Sequence, residues 1–465
     1  MKKSVFLLLC LITSTKLSAQ ISPINFQFVS EHEYTWTYSC YSAVFDGQDR
    51  PYIYSANNEL GFMVHDISDI NNPVAIDTMM PAAFSTLKAS KLFQQGDYVY
   101  VALGGFQGFA QRAGLAILNI TDPENITIED QWDSTAFNQG CAIAIVEGDF
   151  AYLGIMELGI VILNVADKSN IQFVSTYQPD PNWPHVPGLF STPNARGMTI
   201  RNDTLYLCYD AGSFRVIDVT DKENPVEVGH YINPTIDATA QPAYNNVMLV
   251  DNYAYVTVDY CGIDIVDISD PENPVNAGWV NPWNCNTTNW DGRPGHTNEL
   301  KTWANNSILF VSGGDTEILA YDITDRTNPV ELGSYFTLLD SMVAWGIDIK
   351  ENYVVLSQVD NPFGQPYDSD WGGIRILHWD GGVTGISQQD LSNNLQVEIY
   401  PNPANGFLMI KNADNNKILD YKIQDNAGRL IKSGDVKEQI DVSELTQGFY
   451  HLVFSDGSVK SFVKN

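Results

Sequence analysis

The chain has 465 residues, 56 of them acidic and 25 basic, for a net charge of −31. Such a surface repels nucleic acid and anionic membranes, so neither is expected as a partner. A hydrophobic fraction of 44% excludes a disordered chain, and the acidity is concentrated in residues 20–392, which hold 47 acidic and 14 basic side chains.

Residues 1–19 read as a secretory signal peptide, with Lys2 and Lys3, an apolar run from Val5 to Ile12, and the small-residue exit Leu17-Ser18-Ala19. That run is too short to cross a bilayer. No later stretch reaches ~18 continuous apolar residues, so no transmembrane segment is expected. Cys40, Cys141, Cys208, Cys261 and Cys285 follow. An odd, sparse set is no disulfide framework and leaves at least one thiol unpaired in a monomer. Cys261 and Cys285 could meet, although spacing alone does not pair them. No CxxC or His/Cys metal spacing occurs.

From residue 61 one pattern recurs every 45 to 56 residues: GFMVHDISDINNPV (61–74), GLAILNITDPENIT (114–127), GIVILNVADKSNIQ (159–172), SFRVIDVTDKENPV (213–226), GIDIVDISDPENPV (262–275), EILAYDITDRTNPV (317–330) and a worn GIRILHWDGG (373–382). A period of this size marks a stacked supersecondary unit. In the fifth copy, 245–250, 254–258, 262–268 and 274–280 read as four short strands separated by Asp, Asn, Gly and Pro turns. Ile263 and Ile265 point one way and Val266 and Ile268 the other. A strand apolar on both faces lies between two other sheets. Seven such units predict an all-β, seven-bladed β-propeller over residues 20–382. The last unit lacks a fourth strand, and NFQFVSEHEY (25–34) resembles NIQFVSTY (170–177), so residues 25–33 are expected to complete blade seven.

In the turn DISDPENP, Asp267 and Ser269 can bond nearby backbone N–H groups, Pro271 pre-sets φ, and Pro274 opens the outermost strand. The Asp residues read as turn-formers, since Asn119 and Asn164 replace the first of them. These units resemble the LVIVD-repeat propellers of bacterial and archaeal surface proteins. The resemblance covers roughly residues 25–380 and implies a fold without a settled activity.

Residues 383–394 are polar and read as a linker. Residues 395–465 then alternate as short strands of a small Ig-like β-sandwich. Pro401, Asn402, Pro403 and Gly406 in YPNPANG, Gly448 and Tyr450 in QGFYHLV, and the basic VKSFVKN end occur in order. They closely resemble the type A sorting domain of the type IX secretion system of Bacteroidota. The resemblance implies export, the type IX machinery as a partner of this domain, and a secreted or outer-cell-surface location.

In a propeller, the loops from strand two to three and from blade to blade share one face. Here those loops carry the long insertions: 104–114, 178–194, 233–243, 281–295 and 359–373. Loops on a rigid scaffold carry function. Trp183, Trp283, Trp290 and Trp371 lie in them with His185 and His296, while Arg196, Asn245, Asn298 and Trp345 begin inner strands and ring the channel mouth. Aromatics beside amides suit a glycan or protein ligand. No GxSxG, HExxH, P-loop or dinucleotide fingerprint is present, so no catalytic residue is assigned. A secreted carbohydrate- or peptide-active enzyme stays open as the alternative, with Asp291, Asp360, Asp368 or Asp370 as acids. Asp368 and Asp370 in DSDWGG, with Asp360, resemble half a calcium loop, which makes calcium the one cofactor suggested.

Overall fold

The computed structural model describes residues 20–21, 23–34, 39–105, 111–184, 193–236, 242–281, 289–290, 293–294, 296–303, 306–314, 316–336, 342–360, 369–381, 383–384, 398–411, 420–425, 430–435, 439–454 and 459–464. The signal-peptide reading of 1–19 lies outside them. Two compact units result, one spanning Pro23–Gly381 and one holding the tail. No helix among the described residues is long and apolar enough to cross a membrane.

The first unit is a series of seven four-stranded antiparallel sheets. Blade five runs Tyr244–Val250, Tyr253–Val258, Ile263–Asp267 and Val275–Val280, each strand pairing with the next. Blades one, two, three, four and six repeat this order, starting at Cys40, Ala89, Ile143, Gly197 and Leu300. In blade seven, Ala344–Lys350, Tyr353–Gln358 and Gly373–Asp380 are followed by Asn25–Glu33, which pairs along Gly373–Asp380 as the outermost strand. The first and last strands of the unit thus share a sheet.

The core is divided among the blade interfaces. Ile263 and Ile265 pack with Leu309, Val311 and Leu319 of blade six, while Val266 and Ile268 pack with Tyr206 and Val216 of blade four. This is the two-faced burial that the apolar alternation implies. Strand four carries a register shift in every blade, after its second residue in blades one to six and after its fourth in blade seven. In six blades the residue just past it meets the neighbouring blade. A Cβ on Gly229 would lie 2.3 Å from the carbonyl oxygen of Pro271, and one on Gly278 2.3 Å from that of Thr327. At the same position Ser175 Oγ donates to the Lys222 carbonyl at 2.5 Å and Ser30 Oγ to that of Ile70 at 2.6 Å. These four blades therefore mesh with their neighbours through a glycine that permits contact or a serine that bonds across it, while in blade two Asp130 Oδ2 accepts from the Ile171 N–H at 2.7 Å.

The strand-three turn is built by its side chains. Asp267 Oδ1 accepts from the Ser269 N–H at 2.8 Å, and Asp270 Oδ2 from Asn273 Nδ2 at 2.8 Å. Asn119 and Asn164 make the first of these bonds at 2.9 and 3.0 Å in blades two and three. Neutral amides do the same work as carboxylates, so these acids serve the turn.

In the tail, Glu398–Tyr400, Phe407–Lys411 and Gln439–Asp441 form one sheet, and Asp420–Asp425, Leu430–Asp435, Gly448–Phe454 and Val459–Lys464 another. Leu408, Ile440, Ile423, Leu452 and Phe462 fill the space between them. Val383–Thr384, which the composition assigns to a linker, instead pair with Gln20–Ile21 in a two-residue ladder.

Candidate functional site

The innermost strands converge on a central recess. Tyr41, Ser90, Ala142, Arg196, Asn245, Asn298 and Trp345, one from each blade, line it. All stand at or just before the start of strand one, the end at which the chain enters each blade. The local cause is a repeated bulge. In blades one, two, five and seven the pairing of strands one and two skips Tyr41, Ser90, Asn245 and Trp345. An extra residue in a strand re-aims its side chain, and here each one is directed at the ring centre. Hydrogen bonds pass from blade to blade around that ring. Ser90 Oγ donates to the Cys141 carbonyl at 2.5 Å, Asn245 Nδ2 to that of Thr297 at 2.9 Å, and Asn298 Nδ2 to that of Trp345 at 2.6 Å. The cavity is small, about 20 Å³, the room that one or two water-sized groups occupy.

The recess is charged as well as polar. Lys91 of blade two and Glu299 of blade six form an ion pair across it. The Arg196 guanidinium lies 5.7 Å from the ring centre of Trp345, and His296 stacks on the same indole at 6.2 Å. Asp259, in the turn after strand two of blade five, accepts from His296 Nε2 at 2.7 Å and from Asn245 Nδ2 at 2.8 Å, both on Oδ1. Burial pushes its carboxyl upward, but His296, Asn245 and Arg196 outweigh burial and hold it below the ordinary carboxylate value. Asp210 occupies the matching turn of blade four and accepts from Asn194 Nδ2 at 3.0 Å. There burial prevails over Arg196, and the carboxyl is raised.

Five residues expected from the sequence are brought together here: Arg196, Asn245, His296, Asn298 and Trp345. Others are not. Trp183 packs at a tilt against His230 with ring centres 4.0 Å apart, and the buried Arg215 sits 4.7 Å over its ring and donates to its carbonyl at 2.8 Å. It fastens its own loop to blade four and is not available as a ligand platform. Trp371 is half-buried against Gly373 and does not border the recess. Trp290 lies in a two-residue strand paired with Arg293–Pro294. His185, Trp283, Asp291 and Asp368 fall outside the described residues. Of the proposed calcium ligands, Asp360 is raised by burial and then by the like charge of Asp370. No group of three or more His, Cys, Asp or Glu among the described residues is arranged to hold a metal. Sequence reading missed Lys91, Asp210, Asp259 and Glu299. Aligning the copies would have shown Asp210 and Asp259 in one column after strand two.

Cys40, Cys141 and Cys208 are free and buried. Cys261, two residues from Asp259, is disulfide-bonded to a partner outside the described residues.

In the tail, Asn402 ties the first motif to the last. Its Oδ1 accepts from the Val463 N–H at 2.9 Å, and the Ala404 N–H donates to the Val463 carbonyl at 2.7 Å. Pro401 and Pro403 flank this clip and are exposed. Gly406 accepts from the Val442 N–H at 2.9 Å. Gly448 opens the strand that carries Tyr450, whose ring stacks on Phe462 at 5.7 Å and whose hydroxyl donates to the Thr446 carbonyl at 3.0 Å. The three motifs meet as one structural unit.

Residues 398–465 match the family model of the secretion system C-terminal sorting domain, and residues 141–178 and 244–281 match the LVIVD repeat. Among solved structures, the chain is similar to the RRP9 WD40 repeats, with a TM-score of 0.55, 9% identity, and coverage of 78% of this chain and 100% of that one. The WD40 β-propeller domain of Doa1 gives 0.51 and 9%, with 76% and 96% covered. Raptor from Chaetomium thermophilum gives 0.54 and 11%, with 78% and 30% covered. At such identities the likeness shows the fold alone. No curated protein matches the chain. The chain is thus a secreted or outer-surface β-propeller carrying LVIVD repeats and ending in a type IX secretion system C-terminal sorting domain.

Proposed function

We propose that the propeller binds a glycan or protein ligand on its long-loop face, with the central recess as the anchor point, while the sorting domain directs export. One observation carries this reading: every blade contributes a residue to one polar recess at the starts of the innermost strands. A scaffold that needed only to fold would fill its axis with apolar side chains. Here the axis holds Arg196, Asn245, Asn298, Lys91 and Glu299, and keeping them there costs desolvation energy.

A catalytic reading would use the Asp259–His296 pair as acid and base. His296 is 1% exposed, so a substrate would reach Asp259 and not the imidazole. Binding therefore fits the geometry better than turnover. The test is a glycan and peptide array read with wild type and with an Arg196→Ala, Trp345→Ala double variant. We expect binding by wild type and a loss of about tenfold or more in the variant. Absence of binding by wild type, or a variant that binds equally well, would sink the reading.

A further inference from the structure

Asn245 is 3% exposed, and its two amide atoms are treated very differently. Its Nδ2 donates to Asp259 Oδ1 at 2.8 Å and to the Thr297 carbonyl at 2.9 Å. Those two acceptors fix the orientation of the amide, because the flipped form would set oxygen against oxygen. Its Oδ1 is then buried at the recess wall without a hydrogen-bond partner. A buried acceptor left alone is costly, on the order of 1–3 kcal/mol, and calls for a donor from the recess.

The neighbouring charges say which kind of donor. Asp259 has both protein bonds on Oδ1, and its side chain is 27% exposed, so the second oxygen can be reached from solvent. Lys91 is paired with Glu299, and Arg196 stands beside both Asp210 and Asp259, with His296 on Asp259 Oδ1. Trp345 and Tyr41 supply aromatic walls, with ring centres 6.1 Å apart. A small cavity with an orphan acceptor, an unbonded carboxylate oxygen beside it and aromatic sides fits a compact cation. The surrounding body, with 47 acidic and 14 basic side chains in residues 20–392, would steer a basic protein toward it.

We propose that the recess takes the ammonium group of a lysine presented by a basic protein partner, bonded to Asn245 Oδ1 and the outer oxygen of Asp259. This rests on the binding face described above and names its chemistry. The probe is a dense array of acetyl-Gly-Gly-Lys-Gly-Gly-amide, beside the same peptide carrying acetyl-lysine or norleucine and a set of neutral oligosaccharides. It is read with the full-length protein at 0.15 M salt. We expect the lysine peptide to bind about tenfold or more tighter than either analogue, and Asn245→Ala and Asp259→Asn each to remove a similar factor. Glu124→Gln, which removes one negative charge in an exposed turn of blade two, should change binding by less than about twofold. Equal binding of lysine and acetyl-lysine by wild type overturns the proposal without reference to any variant. So does a Glu124→Gln loss as large as that of Asp259→Asn, which would reduce the effect to bulk charge. If only oligosaccharides bind, and Arg196→Ala, Trp345→Ala abolishes that binding, the lysine assignment fails while the central site stands. If nothing binds, both fail.

Discussion

Asp264 lies fully buried between blades four and five, ringed by donors: Asn233 Nδ2 at 2.9 Å, the Tyr244 hydroxyl at 3.2 Å and the Tyr231 hydroxyl at 3.4 Å. Burial raises its carboxyl to about 7 against these bonds. A carboxyl raised on folding stabilises the fold fully below its unfolded value near 4, and that contribution is lost as the pH climbs through 7. The melting midpoint of wild type should therefore fall from pH 5 to pH 8 relative to Asp264→Asn, by several degrees. Parallel curves would show that Asp264 is ionised throughout. The free thiols of Cys40 and Cys141 are pushed up to about 12 by burial, so neither should react with a thiol reagent at pH 8 until the protein is unfolded. Fast native labelling would contradict this. The legibility of the site differs by residue type. Arg196, Asn245, Asn298 and Trp345 were readable because each stands at a fixed offset before an apolar strand. Asp259 was hidden because most Asp residues in this chain build turns, and one more attracts no notice.

At the scale of the element, blade contact depends on the position after the strand-four register shift. Gly278→Ala should destabilise by about 1–3 kcal/mol, because the new methyl would lie against the Thr327 carbonyl oxygen. Thermal denaturation measures this, and an unchanged midpoint would mean the outer strands part easily. Ile265→Ala should cost about 2–5 kcal/mol through the cavity left between blades five and six. The strands themselves were legible in the alternation of apolar residues and in the Asp, Asn and Pro turns. The bulges at Tyr41, Ser90, Asn245 and Trp345 were not. An inserted residue leaves a period-two pattern looking continuous on either side, and only the pairing register exposes it. That hidden register is what turns four inner-strand residues toward the axis.

At the scale of the whole molecule, closure joins Asn25–Glu33 to Gly373–Asp380 across nearly the full length of the propeller. Gly333 of blade six, meeting the carbonyl of Ile24, makes the same inter-blade contact there as elsewhere. A chain lacking residues 25–33 should expose the edge of blade seven and aggregate at concentrations where wild type is monodisperse by light scattering. The seven-unit count was legible because repetition declares itself, and the sorting domain because its motifs lie in order at the C-terminus. The composition of the axis was legible only in part: Lys91 and Glu299, in blades two and six, are distant in sequence, and nothing local announces that they meet. The measurement closest to the central claim is hydrogen–deuterium exchange of the full chain with and without a ligand selected on the arrays. Protection should fall on the starts of the innermost strands, near residues 41, 90, 196, 245, 298 and 345, together. Protection confined to the outer strands or to the short turns of the opposite face would contradict the account.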